Sequence, residues 1–195
     1  NQETEGGKFM KIRQTIFLLP LFLLAGCASA GGSQSRDLDL KELCTEEQVF
    51  QYADFEWGTD SEQLFKQSSL KFDEKDLGQG DESSTKTYES KEKFSLENAE
   101  SNMDLEFSDG QLSQVSFTFD IEQDANTWIQ KEVDELNSLY GGGIATGLGN
   151  QIYQWQGEQD TVLQLTAFTE GDESATVILS VASMESVSYT HLRAH

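Results

Sequence analysis

Apolar and polar residues alternate most clearly from Val115 to Ile121, where Val115, Phe117, Phe119 and Ile121 are separated by Ser116, Thr118 and Asp120. A period of two places the first set on one face of a β-strand and the second on the other, so one face is core and one meets solvent. The period then changes. Between Glu122 and Tyr140 the positions Ala125, Trp128, Ile129, Val133, Leu136, Leu139 and Tyr140 recur at three and four, which is the stripe of an amphipathic helix. Gly141–Gly143 stops it, as glycine commonly does at a helix C-terminus.

The segments around this pair read in the same way. Lys86–Phe94 and Asn102–Phe107 are predicted strands, and Ser108-Asp109-Gly110-Gln111 is the hairpin turn into the alternating strand. Gln151–Trp155, Thr161–Phe168 and Ala175–Ser183 form a closing meander, with Glu170–Glu173 joining the last two. Earlier, Thr45-Glu46-Glu47-Gln48 and Thr59-Asp60-Ser61-Glu62 are capping boxes, each predicting a short helix. Phe55 and Trp57 in the turn-like link between them are expected to be buried, and Lys71–Glu82 reads as a polar loop. Helices followed by antiparallel strands, twice over, predict an α+β fold: antiparallel sheet meanders with two or three helices packed on one face. The 122–140 helix should lay Trp128, Ile129, Val133 and Leu136 over Val115, Phe117 and Phe119. The opposite face, with Ser116 and Thr118, is then what remains for a partner.

The N-terminal end changes where such a domain would reside. Met10 opens a short basic segment, Lys11-Ile12-Arg13, followed by the apolar run Ile16–Leu24, which Pro20 interrupts. Positive, apolar and small residues in that order make a secretion signal, too short to span a bilayer as a helix. The run closes on Leu24-Ala25-Gly26-Cys27, which resembles the lipobox of bacterial lipoproteins. That resemblance implies a diacylglyceryl group on the Cys27 thiol, cleavage before it, and anchorage on the exported face of a bacterial envelope membrane. The expected organisation is residues 1–9 as upstream sequence that is not translated, 10–26 as lipoprotein signal peptide, and 27–44 as lipidated cysteine and flexible tether. Residues 45–185 then form one domain. Residues 186–195 are expected to be foreign, because Val187–His195 is what one frame of a transposon-end sequencing adapter encodes.

Charge narrows the partners. The whole chain carries −22, and between Cys27 and Glu185 nine basic side chains face 33 acidic ones, a net of −24. That excludes nucleic acid as a partner and disfavours a polybasic hold on anionic lipid. It suits a soluble body held to a membrane by lipid alone. With Cys27 lipidated, Cys44 is a single thiol and there is no disulfide framework.

The motifs that invite chemistry mostly lack its requirements. His191 and His195 are the only histidines and lie in the adapter-like tail, which removes the usual general base and the commonest metal ligand. Gly141–Gly149 has neither the glycine spacing of a dinucleotide loop nor the Lys-Ser/Thr of a P-loop, and it follows a helix rather than preceding one. Within Asp73–Glu82, Lys75 and Leu77 occupy positions where a calcium loop needs oxygen ligands. No catalytic residue, metal or cofactor is assigned. Tyr153 and Trp155 share one face of a predicted strand and form the candidate ligand platform.

The body is also similar to small exported lipoproteins of unknown function. The residues that carry this are Phe55-Glu56-Trp57-Gly58-Thr59, Phe107-Ser108-Asp109-Gly110-Gln111-Leu112, Leu136–Gly141 and Trp155. The resemblance implies location and an α+β body, and no activity. The expectation is a non-enzymatic, lipid-anchored envelope protein that binds a protein or small ligand. An envelope-assembly or structural factor and a carboxylate-dependent hydrolase are the rival readings.

Overall fold

The computed structural model describes residues 35–76, 84–146, 151–171 and 173–184, all within one unit of the chain, Ser33–His195. Cys27 with its lipobox, the signal segment and the adapter-like tail lie outside the described residues, as do 77–83 and 147–150.

The strands are β1 (Arg36–Asp37), β2 (Phe72–Lys75), β3 (Thr85–Leu96), β4 (Ala99–Ser108), β5 (Gln111–Ile121), β6 (Ile144–Thr146), β7 (Gln151–Gln156), β8 (Thr161–Glu170) and β9 (Ser174–Ser183). They form one sheet in the order β1-β3-β4-β5-β9-β8-β7-β6, with β2 also beside β3. All pairs are antiparallel except β1–β3. The helices among the described residues are α1 (Ser61–Gln67), α2 (Ala125–Tyr140) and a single 3-10 turn, Leu40–Leu43.

This corrects the expected fold class. The protein is predominantly β, with one nine-stranded mixed sheet, rather than an α+β fold of meanders under two or three helices. Two physical reasons account for the difference. The two meanders do not remain separate: β5 and β9 both alternate strictly, and they pair from Gln114↔Ala182 to Ile121↔Ala175, fusing the halves edge to edge. The first capping box makes no helix. Gln48 turns left-handed at φ 64°, and the Thr45 hydroxyl accepts from Val49 N at 3.2 Å within a tight reversal, which returns Phe50 to the core.

The second capping box does start a helix, one residue later than expected. Asp60 is the N-cap, its carboxylate accepting from Gln63 N at 2.9 Å. Asp109 and Gly110 both have positive φ, 51° and 80°, as a tight hairpin turn requires. Phe72–Lys75 is a strand rather than a loop, paired antiparallel with β3.

One face of the sheet is covered. Val115, Phe117, Phe119 and Ile121 are buried there beside Met103, Leu105, Val177, Leu179, Leu163 and Leu165. Over them lie α2, through Ile129, Val133 and Leu136, and an irregular N-terminal stretch that contributes Leu38, Leu40, Leu43, Phe50, Tyr52 and Phe55. Tyr52 packs edge-on to Phe94 and Phe117 at ring separations of 6.0 and 5.6 Å. Residues 36–44, assigned to the tether in the sequence, therefore belong to the fold: they supply β1 and three buried leucines. An irregular segment of aromatic and leucine side chains does the covering that further helices were expected to do.

Candidate functional site

Trp155 does not form the expected platform with Tyr153. Register places both residues on the covered face, opposite Leu163 and Leu165 of β8. Trp155 is 3% exposed, and its indole N–H donates to Gly141 O at 2.9 Å and to Asn137 Oδ1 at 3.2 Å. Asn137 Oδ1 also accepts from Gly143 N at 2.8 Å. Gly143 passes so close that a Cβ there would lie 2.6 Å from the indole ring. The glycine run after α2 is thus a backbone approach to Trp155, and the pair is packing, not a ligand anchor. Tyr153 is half-buried against the same core.

The other sites singled out in the sequence are structural too. Cys44 is a free, partly buried thiol whose pKa burial raises, which makes it less reactive. Asp73 and Lys75, in the candidate calcium loop, belong to β2. The tip of the Glu170–Glu173 hairpin lends its Glu173 carbonyl to Ala125 N at 3.0 Å, capping α2. Among the described residues no group of three or more His, Cys, Asp or Glu is placed to hold a metal ion.

The open face of the sheet divides by charge. On β2, β3 and β4 it carries Lys75 bridging Glu89 and Asp104, each at 3.0 Å. From β5 across β9, β8 and β7 to β6 the character changes. The row Gln114, Ala182, Val162 and Gln156, the row Ser116, Ser180, Gln164, Gln154 and Ile144, and the row Thr118, Ile178, Thr166, Ile152 and Thr146 contain no charged side chain. Gln154 donates to Gln164 at 2.7 Å and Gln164 to the Thr166 hydroxyl at 2.7 Å, so the centre is an ordered amide–hydroxyl chain. Ile144 and Phe168, two of the exposed large apolar residues, flank it at 60% and 44% exposure. A quarter of all residues in the chain are charged, and the acidic half of the same face shows that strands here accept charge. The three rows form an uncharged, partly apolar patch of mostly half-buried side chains, bounded by the row of Asp120, Thr176 and Phe168, and such a patch is what contact surfaces look like.

A second feature lies beneath α2. Glu132 sits in the middle of the helix's buried side, between Ile129 and Leu136, with no exposed surface. Neither carboxylate oxygen has a hydrogen-bond partner among the described residues. Burial pushes its pKa up to about 7, with the negative charges of Glu135 and Glu97 adding to the shift and Lys131 opposing it. One turn away, Trp128 packs on Phe119 at 5.9 Å, and its indole nitrogen is likewise buried without a partner. Next to them a cleft of about 520 Å³ opens between the β3–β4 turn, the end of β5 and the first turns of α2. Its rim is acidic, and Lys131 is already paired with Glu97 at 2.6 Å. Glu132 was legible in the sequence as an acid inside the 125–136 stripe, a signal the reading of apolar positions passed over.

The arrangement defines a class: a single mixed sheet, helix-covered on one face and half uncharged on the other. Comparison with protein-family models, curated proteins and solved structures gives no match, so no relative's activity transfers to the chain.

Proposed function

We propose that the protein is a lipid-anchored binding protein on the exported face of a bacterial envelope, without catalytic activity of its own. It engages a protein or small ligand through the uncharged half of its open sheet face. The anchoring half of this reading rests on Leu24-Ala25-Gly26-Cys27 after a basic and apolar leader. Two or three acyl chains at Cys27 would hold a body of this charge at a membrane that a single chain would not.

The observation that carries the binding half is the three rows without charge from β5 to β6. Charged groups at the exposed members of those rows, Thr118, Ile144, Thr146 and Gln156, would favour solubility, whereas a partner that covers them would leave such charges desolvated. The surface therefore suits an uncharged partner that can pair with Gln and Thr side chains and cover Ile178, Ile152 and Ile144.

The test uses envelope extracts and two substitutions. Cys27→Ala is expected to move the protein out of the detergent phase, and unchanged partition overturns the anchor. Ile178→Asp places a charge at the centre of the face on a side chain that is only half-buried. It is expected to keep the wild-type melting curve and to lose the species the wild-type chain captures. Capture of the same species by both chains overturns the assignment of this face.

A further inference from the structure

A carboxyl group with no solvent contact and no hydrogen-bond partner is stable only in its neutral form. Glu132 is such a group, and it lies at the centre of the contact between α2 and the sheet. We propose that α2 is a proton-sensitive latch: with Glu132 protonated it lies closed on the sheet, and with Glu132 ionised it opens more often, uncovering the apolar face of β8 and β9.

The surroundings of Glu132 offer its charge little help. Beneath α2, β8 and β9 present Leu163, Leu165, Val177 and Leu179, all apolar. The β3–β4 turn presents Glu97, a like charge, and the helix itself adds Glu135, another. Among the described residues the one cation acting on the site, Lys131, is exposed and held at 2.6 Å by Glu97. Ionisation in the closed state therefore leaves a buried negative charge facing two others. In the open state water solvates it.

Asp124 enters α2 in left-handed backbone at φ 52°, its side chain caps nothing, and the last turn carries no basic residue, so the helix dipole is uncompensated at its C-terminal end. The bonds that an opening must break lie at the ends: Ala125 N to Glu173 O at 3.0 Å, the Trp155 indole N–H to Gly141 O at 2.9 Å and the Tyr140 hydroxyl to Leu40 O. Glu132 titrates at about 7 when closed, against 4.5 for an ordinary glutamate. By linkage, the opening equilibrium of α2 should then rise on the order of 50- to 100-fold between pH 5 and pH 8.

The experiment is amide hydrogen exchange on the full chain at both pH values, corrected for intrinsic rates, with β5 and β9 amides as the internal reference. The expected result is that α2 amides exchange faster than β5 and β9 amides at both pH values, gain that factor between them in the wild-type chain, and stay within about 3-fold in Glu132→Gln. Protection of α2 equal to that of β5 and β9, or a rise retained in Glu132→Gln, overturns the latch. Should Glu132→Gln fail to fold, the carboxyl carbon of Glu132 is titrated by NMR in the wild-type chain. A midpoint above about 6 sustains the proposal, and one below it overturns it.

Discussion

Removing the chain before Thr45 should unfold the domain, although the composition of that stretch reads as a tether. Leu38, Leu40 and Leu43 are 5%, 3% and 1% exposed. At about 1.5–3 kcal/mol for each fully buried leucine, their loss costs about 5–9 kcal/mol, an upper estimate because the unfolded chain already hides some apolar surface. Hydrogen bonds leave with them, among them Leu38 N to Ser95 O at 2.7 Å, Gln51 N to Leu43 O at 3.1 Å and Ala53 N to Glu42 O at 2.6 Å, and the Tyr140 hydroxyl to Leu40 O. Each contributes about 1 kcal/mol. The total is comparable to the whole stability of a domain of this size, about 5–15 kcal/mol. The assay is urea unfolding, followed by tryptophan fluorescence, of chains that begin at Ser33 and at Thr45. The first should unfold cooperatively; the second should lose about 5 kcal/mol or more, or fail to fold. Leu43→Ala in the longer chain should cost about 2–5 kcal/mol by itself. A Thr45 chain within about 1 kcal/mol of the Ser33 chain would refute the packing of residues 36–44 on the sheet.

Two further substitutions probe α2. Glu132→Leu should stabilise the fold by about 3 kcal/mol more at pH 8 than at pH 4, read from urea midpoints at each pH. The sign follows from a folded pKa of about 7 above an unfolded value of 4.5: below pH 4.5 only the unmet hydrogen bonds of the neutral carboxyl cost stability, the charge adds a growing cost as pH rises to 7, and that cost is constant beyond it. Equal midpoint shifts at both pH values would show that Glu132 does not titrate high. Gly143→Ala should cost about 1–3 kcal/mol, because its Cβ meets Trp155, a rigid ring held by two hydrogen bonds. A red-shifted Trp155 emission, read with Trp57 and Trp128 replaced by Phe, is the accompanying signal, and an unshifted, fully stable variant would refute the close approach.

Strong local periodicity encodes the elements and not their assembly. β5, α2 and the closing strands lie where alternation and the three-four stripe put them, within the few residues by which element ends vary. Phe117 and Ile129 are buried as the pattern requires. That β5 and β9 pair is a contact between residues about sixty positions apart, and no local pattern encodes it. The same applies to Trp155. A strand's period shows that Tyr153 and Trp155 share a face, and only the register with Leu165 and Leu163 shows which face that is. The N-terminal cover is illegible for a different reason. Leu38, Leu40 and Leu43 follow no helical or strand period over a useful length, so a leucine every two or three residues beside a small-residue tract reads as linker.

The two features left for function depart from what solubility and stability alone would favour, and they do so in opposite directions. A charged side chain at an exposed open-face position such as 118 or 146 would be solvated at little cost. None is there, while the adjacent half of the same face holds Glu89, Lys75 and Asp104 in a bridged cluster. An acid at position 132 sits inside, without a partner, where a leucine would stabilise the fold. Residues that break a local rule with no compensating contact are the ones to examine for function. The surface departure removes charge where a partner would have to desolvate it. The interior one inserts charge where a helix must move to accommodate it. They lie on opposite faces of the same sheet, with β9 and β8 common to both. A substitution on one face that altered the behaviour of the other would therefore have to act through those two strands. Ile178→Asp, which alters the open face of β9, should leave the pH dependence of α2 exchange unchanged if the two features work separately.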